Sequence, residues 1–166
     1  MTRAYIGLGS NLGKCEQNLS QARELLAIIP RSRAVKFSSV YRTAPWGKVD
    51  QPDFFNQIGI IETELGAQEL LTALLGIEKV MGRERFEKWG PRLIDLDILL
   101  FGDDIIDGPE LKVPHPYLES RAFVIVPLLE IEPELILPGG KALKEVVKSL
   151  AKSELEGCIL NISMIK

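Results

Sequence analysis

Histidine occurs once and cysteine twice in these 166 residues, and each scarcity excludes something. Cys15 and Cys158 stand too far apart, and too alone, for a disulfide framework or a zinc site, so a reducing cytoplasm fits. Net charge is scarce too: −3 at pH 7 leaves no global footprint for nucleic acid or a membrane surface. No window reaches the ~18 uninterrupted apolar residues of a membrane span. The N-terminal MTRAYIGLGSN lacks the apolar core of a signal peptide, and there is no repeat or low-complexity segment. What is present is a chain 46% apolar and 26% charged, ordinary for a globular protein. Its length suits a single domain over residues 1–166. A monomer is the expectation, an oligomer the alternative.

The hydrophobic periods alternate between strand and helix. Ala4–Leu8 reads as a short strand ending in the turn-rich GLGSNLG. Over Glu16–Ile29, Leu19, Ala22, Leu25, Leu26 and Ile29 recur at helical spacing until Pro30. Ala34–Tyr41 and Phe55–Glu64 read as strands joined by TAPWGKVDQPD, an exposed loop by its Pro, Gly and Asp content. Leu70, Leu71, Leu74, Leu75 and Val80 mark a second helix ending near Met81–Gly82, before a polar loop and a further strand. The order βαββαβ predicts an α+β fold with a ferredoxin-like core, a mainly antiparallel sheet flanked by helices. The tail adds helices near Phe123–Glu130 and Ala142–Lys152, and a short strand at Ile159–Ile162.

The last core strand carries the chemistry. In WGPRLIDLDILLFG, alternation puts Leu93, Asp95, Asp97, Leu99 and Phe101 on one face and Ile94, Leu96, Ile98 and Leu100 on the other. Two carboxylates with Cβ atoms roughly 7 Å apart repel each other unless a cation lies between them, and Mg²⁺ favours such a pair with phosphate and water. A solvated strand face is the alternative. The preceding RERFEKWGPR holds Arg83, Arg85, Lys88 and Arg92 against Glu84 and Glu87, a local +2 in an acidic chain. That reversal suits phosphate neutralisation by guanidinium groups, or else a solvated loop. His115, fixed between prolines in VPHPYLESRAF, is either structural or, with Arg121, a phosphate contact. GLGSNLGK satisfies neither a Walker A nor a dinucleotide pattern, leaving a strand-to-helix turn as its default. Trp46, Phe54 and Phe55 are core-flanking or could stack on a flat heterocycle, with Phe123 supplying a second face and Asn56 pairing to ring nitrogens.

GLGSNLG, SSVYRTAPWG, QPDFFNQ, WGPRLIDLDILLFG and VPHPYLESRAFVIVPLLEI, in that order, resemble the 6-hydroxymethyl-7,8-dihydropterin pyrophosphokinases of folate biosynthesis over about Ala4–Pro138. The resemblance implies transfer of pyrophosphate from ATP, the co-substrate, to the pterin hydroxymethyl oxygen, releasing AMP. It implies two Mg²⁺ ions on Asp95 and Asp97, with Asp97 helping to deprotonate the hydroxyl. Arg83, Arg92, His115 and Arg121 match phosphate-binding positions, and Arg85 and Trp89 match loop residues at the nucleotide. Glu78 matches a helix carboxylate near ATP. Phe54 and Phe123 match the pair sandwiching the pterin, Asn56 its polar partner, and Thr43, Ala44, Pro45 and Trp46 the loop lining its pocket. Three departures bear on the nucleotide: Pro116 then Tyr117 where some members have tyrosine after the histidine, Leu75 for a glutamine, and a loop from Gly82 to Trp89 one residue shorter than in some members. The partners implied are small molecules, with neither nucleic acid nor membrane. The rival readings are a palm-type metal-dependent nucleotidyltransferase and a non-catalytic nucleotide- or pterin-binding domain.

Overall fold

The computed structural model describes residues 1–45, 50–82 and 91–160. Strand β1 (Thr2–Ser10) leads into α1 (Cys15–Ala27), then β2 (Ser32–Phe37), β3 (Tyr41–Thr43) and β4 (Phe54–Thr63). Helix α2 (Ala67–Val80) returns the chain to β5 (Asp95–Phe101). A small ribbon, β6 (Ile106–Asp107) with β7 (Lys112–Val113), precedes a single 3-10 turn at Leu118–Ser120. The tail is α3 (Ala122–Ile131), α4 (Leu143–Lys148), α5 (Lys152–Glu156) and β8 (Ile159–Leu160).

The main sheet runs β5-β1-β4-β3-β8, with β2 also on β4, and its pairings are antiparallel. A βαββαβ order folded this way is the ferredoxin-like core that the periodicity predicts. Helices α1 and α2 cover one face, where Leu19, Leu26, Leu70 and Leu74 meet Ile6, Leu8, Leu96 and Ile98. Helices α3 and α4 cover part of the other, where Ile125, Leu128 and Leu143 meet Tyr5, Ile58, Ile60 and Leu99. No helix among the described residues is long and apolar enough to cross a membrane.

Local chemistry sets the boundaries. Glu69 accepts the Gly66 N–H at 2.7 Å to start α2, an acidic side chain at a positive helix end. Gly82, at φ +81°, turns the chain out of α2 in the left-handed conformation that glycine adopts without penalty. Helix α1 stops two residues short of the expected Ile29, because the residue before Pro30 is pushed away from helical backbone. The predicted strand Ala34–Tyr41 is two strands. Its interruption is fastened to β4, where the Ser38 hydroxyl accepts the Ile58 N–H and the Gln57 amide donates to the Ser38 carbonyl. The predicted helix Ala142–Lys152 likewise breaks, with the Ser149 hydroxyl donating back to the Val146 carbonyl at 2.7 Å.

The simple alternation of the last core strand also fails at its far end. Ile6 pairs with Ile98 but Tyr5 pairs with Leu100. The extra residue forms a β-bulge, so Leu99 and Leu100 both join the α3 side while Phe101 crosses to the α1–α2 side.

Candidate active site

Helices α3 and α4 leave part of their sheet face open, and there a cavity of about 80 Å³ reaches the strands. Its floor is set by register. Gly7 lies opposite Asp97 on β5 and Ile58 on β4, and Gly9 lies opposite Asp95 and Asn56. The GLG of the glycine-rich segment is therefore strand, and the turn is confined to Asn11–Lys14. Glycine here supplies room: a Cβ on Gly9 would stand 3.2 Å from the Asn56 side-chain oxygen.

Asp95 and Asp97 line this cavity with Arg92 and Arg121, facing Thr43, Ala44, Phe54, Asn56 and Phe123. Arg92 bonds the Asp95 carboxylate at 3.1 Å, and its guanidinium carbon lies 6.0 Å from the Phe54 ring centroid. Asn56 is buried and donates to the Thr43 hydroxyl at 2.9 Å, which fixes its amide orientation. Arg121 is only 8% exposed. Burial lowers its pKa, and Asp97 and then Asp95 oppose that fall. A guanidinium remains charged despite such a shift, so a buried cation stands beside two carboxylates.

His115 lies just outside the cavity lining. Burial first, and then Arg121, push its pKa down to about 4, with Asp95 acting the other way. Its Nδ1 accepts the Tyr117 backbone N–H at 3.1 Å. A second hollow, of about 260 Å³, adjoins the first through Thr43, Ala44, Arg121 and Phe123. Pro45 lines this second hollow, as do Ser153, Glu154 and Gly157 of the tail.

One predicted residue lies elsewhere. Glu78 is buried on α2, and its carboxylate accepts the Leu96 N–H at 2.8 Å. Leu96 sits on the α1–α2 side of the sheet, so Glu78 supports the aspartate strand from behind instead of lining the cavity. Trp46, Arg83, Arg85 and Trp89 lie outside the described residues.

Sequence reasoning passed over Asn11, which is 3% exposed. Its amide donates to the Gln51 side chain and the Pro52 carbonyl, and its side-chain oxygen accepts the Arg92 N–H at 2.9 Å. Its own backbone N–H donates to the Arg92 carbonyl at 3.1 Å. The one signal for it was its place in GLGSNLG, a segment read as a plain turn.

Comparison with known proteins gives this arrangement its context. The family model described as 7,8-dihydro-6-hydroxymethylpterin-pyrophosphokinase matches residues 5–133. The chain is 43% identical over 145 residues to the 2-amino-4-hydroxy-6-hydroxymethyldihydropteridine pyrophosphokinase of Pseudomonas aeruginosa, covering 87% of this chain and 90% of that one. It is 45% identical over 156 residues to the enzyme of the same name from Methylorubrum extorquens, covering 94% and 98%. Among solved structures, wild-type HPPK-DHPS of Plasmodium falciparum with pteroate superposes with a TM-score of 0.70 at 16% identity. That match covers 89% of this chain but 42% of the longer one, and carries the fold alone.

Proposed function

We infer the working of the site from one premise: this chain belongs to the 7,8-dihydro-6-hydroxymethylpterin-pyrophosphokinase family. It is a pyrophosphokinase of folate biosynthesis, and ATP is its co-substrate. The hydroxymethyl oxygen of 6-hydroxymethyl-7,8-dihydropterin attacks the β-phosphorus of ATP. The bond from that phosphorus to the α–β bridging oxygen breaks, giving AMP and the pterin diphosphate.

The division of labour among residues is our proposal. Phosphoryl transfer needs alignment and charge neutralisation more than covalent catalysis. Asp95 and Asp97 form a pair of hard oxygen donors on the cavity wall. Such a pair fits Mg²⁺, which keeps waters and completes its shell with phosphate. Asp95 and Asp97 would hold two Mg²⁺ ions, whose Lewis acidity offsets the triphosphate charge. Asp97 also takes the proton of the attacking hydroxyl. Arg92 and Arg121 neutralise phosphate oxygens, and His115 donates to one. Arg83, Arg85 and Trp89 keep the nucleotide contacts implied by their family positions.

The pterin lies between Phe54 and Phe123, with Asn56 on its polar edge and Thr43, Ala44 and Pro45 around it, and Trp46 keeps the pterin contact implied by its family position. Glu78 acts on ATP only indirectly, through the strand it supports. We take residues 1–166 as one domain that works as a monomer. The two unpaired cysteines support a reducing compartment such as the cytoplasm.

One observation carries this reading: two carboxylates and two arginines share a cavity with a pair of phenylalanines and an oriented amide. The test is AMP release from Mg-ATP with and without the pterin, for the protein and for Asp97→Ala. AMP should require the pterin and Mg²⁺ and fall at least about a hundredfold in the variant, the scale of a lost proton-transfer group. An Asp97→Ala protein with normal turnover would remove the aspartate strand from the mechanism.

A further inference from the structure

Tyr117 has no part in the assignments above, yet it touches two groups that do. The Arg121 guanidinium carbon lies 4.9 Å from the Tyr117 ring centroid and 5.4 Å from that of Phe123. Phe123 already forms a cavity wall, so the tyrosine ring is a second aromatic surface on the same buried cation. The Tyr117 backbone N–H meets His115 Nδ1 at 3.1 Å, and the two rings are 5.9 Å apart.

Each contact has a directional consequence. A ring attracts a guanidinium through its π face, a contact that uses none of the cation's N–H donors. The ring also helps to set the plane of the guanidinium fork. An imidazole nitrogen that accepts an N–H carries no proton, so His115 has its proton on Nε2. Pro116 has no N–H, which makes Tyr117 the first residue after His115 able to give this bond.

We propose that Tyr117 is a positioning residue for the triphosphate: its ring holds the Arg121 guanidinium, and its N–H fixes His115 as an Nε2–H donor. The proposal rests on the reading that Arg121 and His115 meet phosphate. It assigns the ring, and not the hydroxyl, the work on Arg121, and it concerns ATP alone.

The experiment compares full-length Tyr117→Leu, Tyr117→Phe, Arg121→Ala and the Tyr117→Leu/Arg121→Ala double variant. It measures kcat, KM for Mg-ATP, KM for the pterin and the urea midpoint. Tyr117→Leu is expected to raise KM for Mg-ATP about tenfold, with kcat and the pterin KM within about twofold, a difference too small to resolve against a tenfold change. Tyr117→Phe restores the ring and should recover most of that affinity. In the Arg121→Ala background the leucine should add nothing, because the two changes remove one interaction.

Equal rises in both KM values with a lowered urea midpoint would reduce Tyr117 to a structural residue and overturn the proposal. So would a Tyr117→Phe variant as weak as Tyr117→Leu. The reading of the site fails separately: an Arg121→Ala enzyme with unchanged KM for Mg-ATP sinks it whatever Tyr117 does. For the imidazole, the chain's single histidine gives one pair of ring ¹⁵N resonances. The Nε2–H tautomer is expected, and the Nδ1–H tautomer would overturn that half of the proposal.

Discussion

The fold controls the charge state of His115. Its pKa falls from 6.5 to about 4, through burial first and Arg121 second, against Asp95. Between those values the unfolded chain binds a proton that the native chain refuses, so this group makes stability rise with pH. On acidification its contribution starts to be lost below about pH 6.5 and is fully lost by about pH 4. Urea midpoints measured from pH 7 to pH 4 should therefore fall less steeply for His115→Gln than for the native sequence; parallel curves would refute this. Gly9 makes a different point at the same scale. A methyl group there stands 3.2 Å from the Asn56 oxygen, and Asn56 is already held by Thr43. The amide must shift by a few tenths of an ångström, away from the position proposed to orient the pterin. Gly9→Ala is expected to raise KM for the pterin about tenfold, equivalent to about 1.4 kcal/mol, while KM for Mg-ATP holds. Unchanged pterin KM would mean that Asn56 does not set ligand orientation.

At the scale of elements, β5 is held from behind as well as along its edges. The Glu78 carboxylate on α2 takes the Leu96 N–H at 2.8 Å, and Leu96 lies between the two aspartates. Glu78→Ala leaves that buried amide without its acceptor, which costs about 1–3 kcal/mol, and Glu78→Gln keeps an acceptor in place. Urea unfolding should show the alanine variant clearly less stable than the glutamine variant; equal midpoints would mean that the Leu96 bond contributes nothing. This role also shows what the sequence could carry. Period and punctuation located β1, α1, β4, α2 and β5, because those signals are local. Asp95, Asp97 and Arg92 stood out by residue type and spacing, while Arg121, Phe54, Asn56 and Phe123 were assigned to the site through the family resemblance; all seven line one cavity. Which side of the sheet Glu78 faces was not legible, since that depends on how α2 packs. The bulge at Leu99 was hidden for a similar reason: it exists only in the pairing with Tyr5 and Ile6. Ser38 divided a predicted strand by bonding Ile58, a partner 20 residues away.

For the molecule as a whole, the question is how the pterin and phosphate sides of one cavity act together. Phe54 and Thr43 belong to the β3–β4 side, while Arg92 and Asp95 belong to the approach to β5. Asn11, at the end of β1, bonds both: Gln51 and Pro52 ahead of Phe54, and the backbone N–H and carbonyl of Arg92. Its partners lie 40, 41 and 81 residues away along the chain, which is why a local reading of GLGSNLG saw only a turn. A buried side chain with three such bonds makes the two sides one mechanical unit. If ordering one side by its ligand pre-orders the other, the second ligand binds more tightly, and the coupling must be reciprocal. Asn11→Ala should lose about 1–3 kcal/mol of stability through unsatisfied buried groups and, more tellingly, the coupling. The measurement is calorimetric titration of the pterin with and without Mg²⁺ and α,β-methylene-ATP, which cannot undergo the cleavage proposed above. In the native protein the analogue should tighten pterin binding about fivefold or more, the lower end of ordinary coupling free energies. In Asn11→Ala the two affinities should converge. If the variant folds and keeps the full enhancement, communication between the sites runs through other contacts and Asn11 only supports the fold.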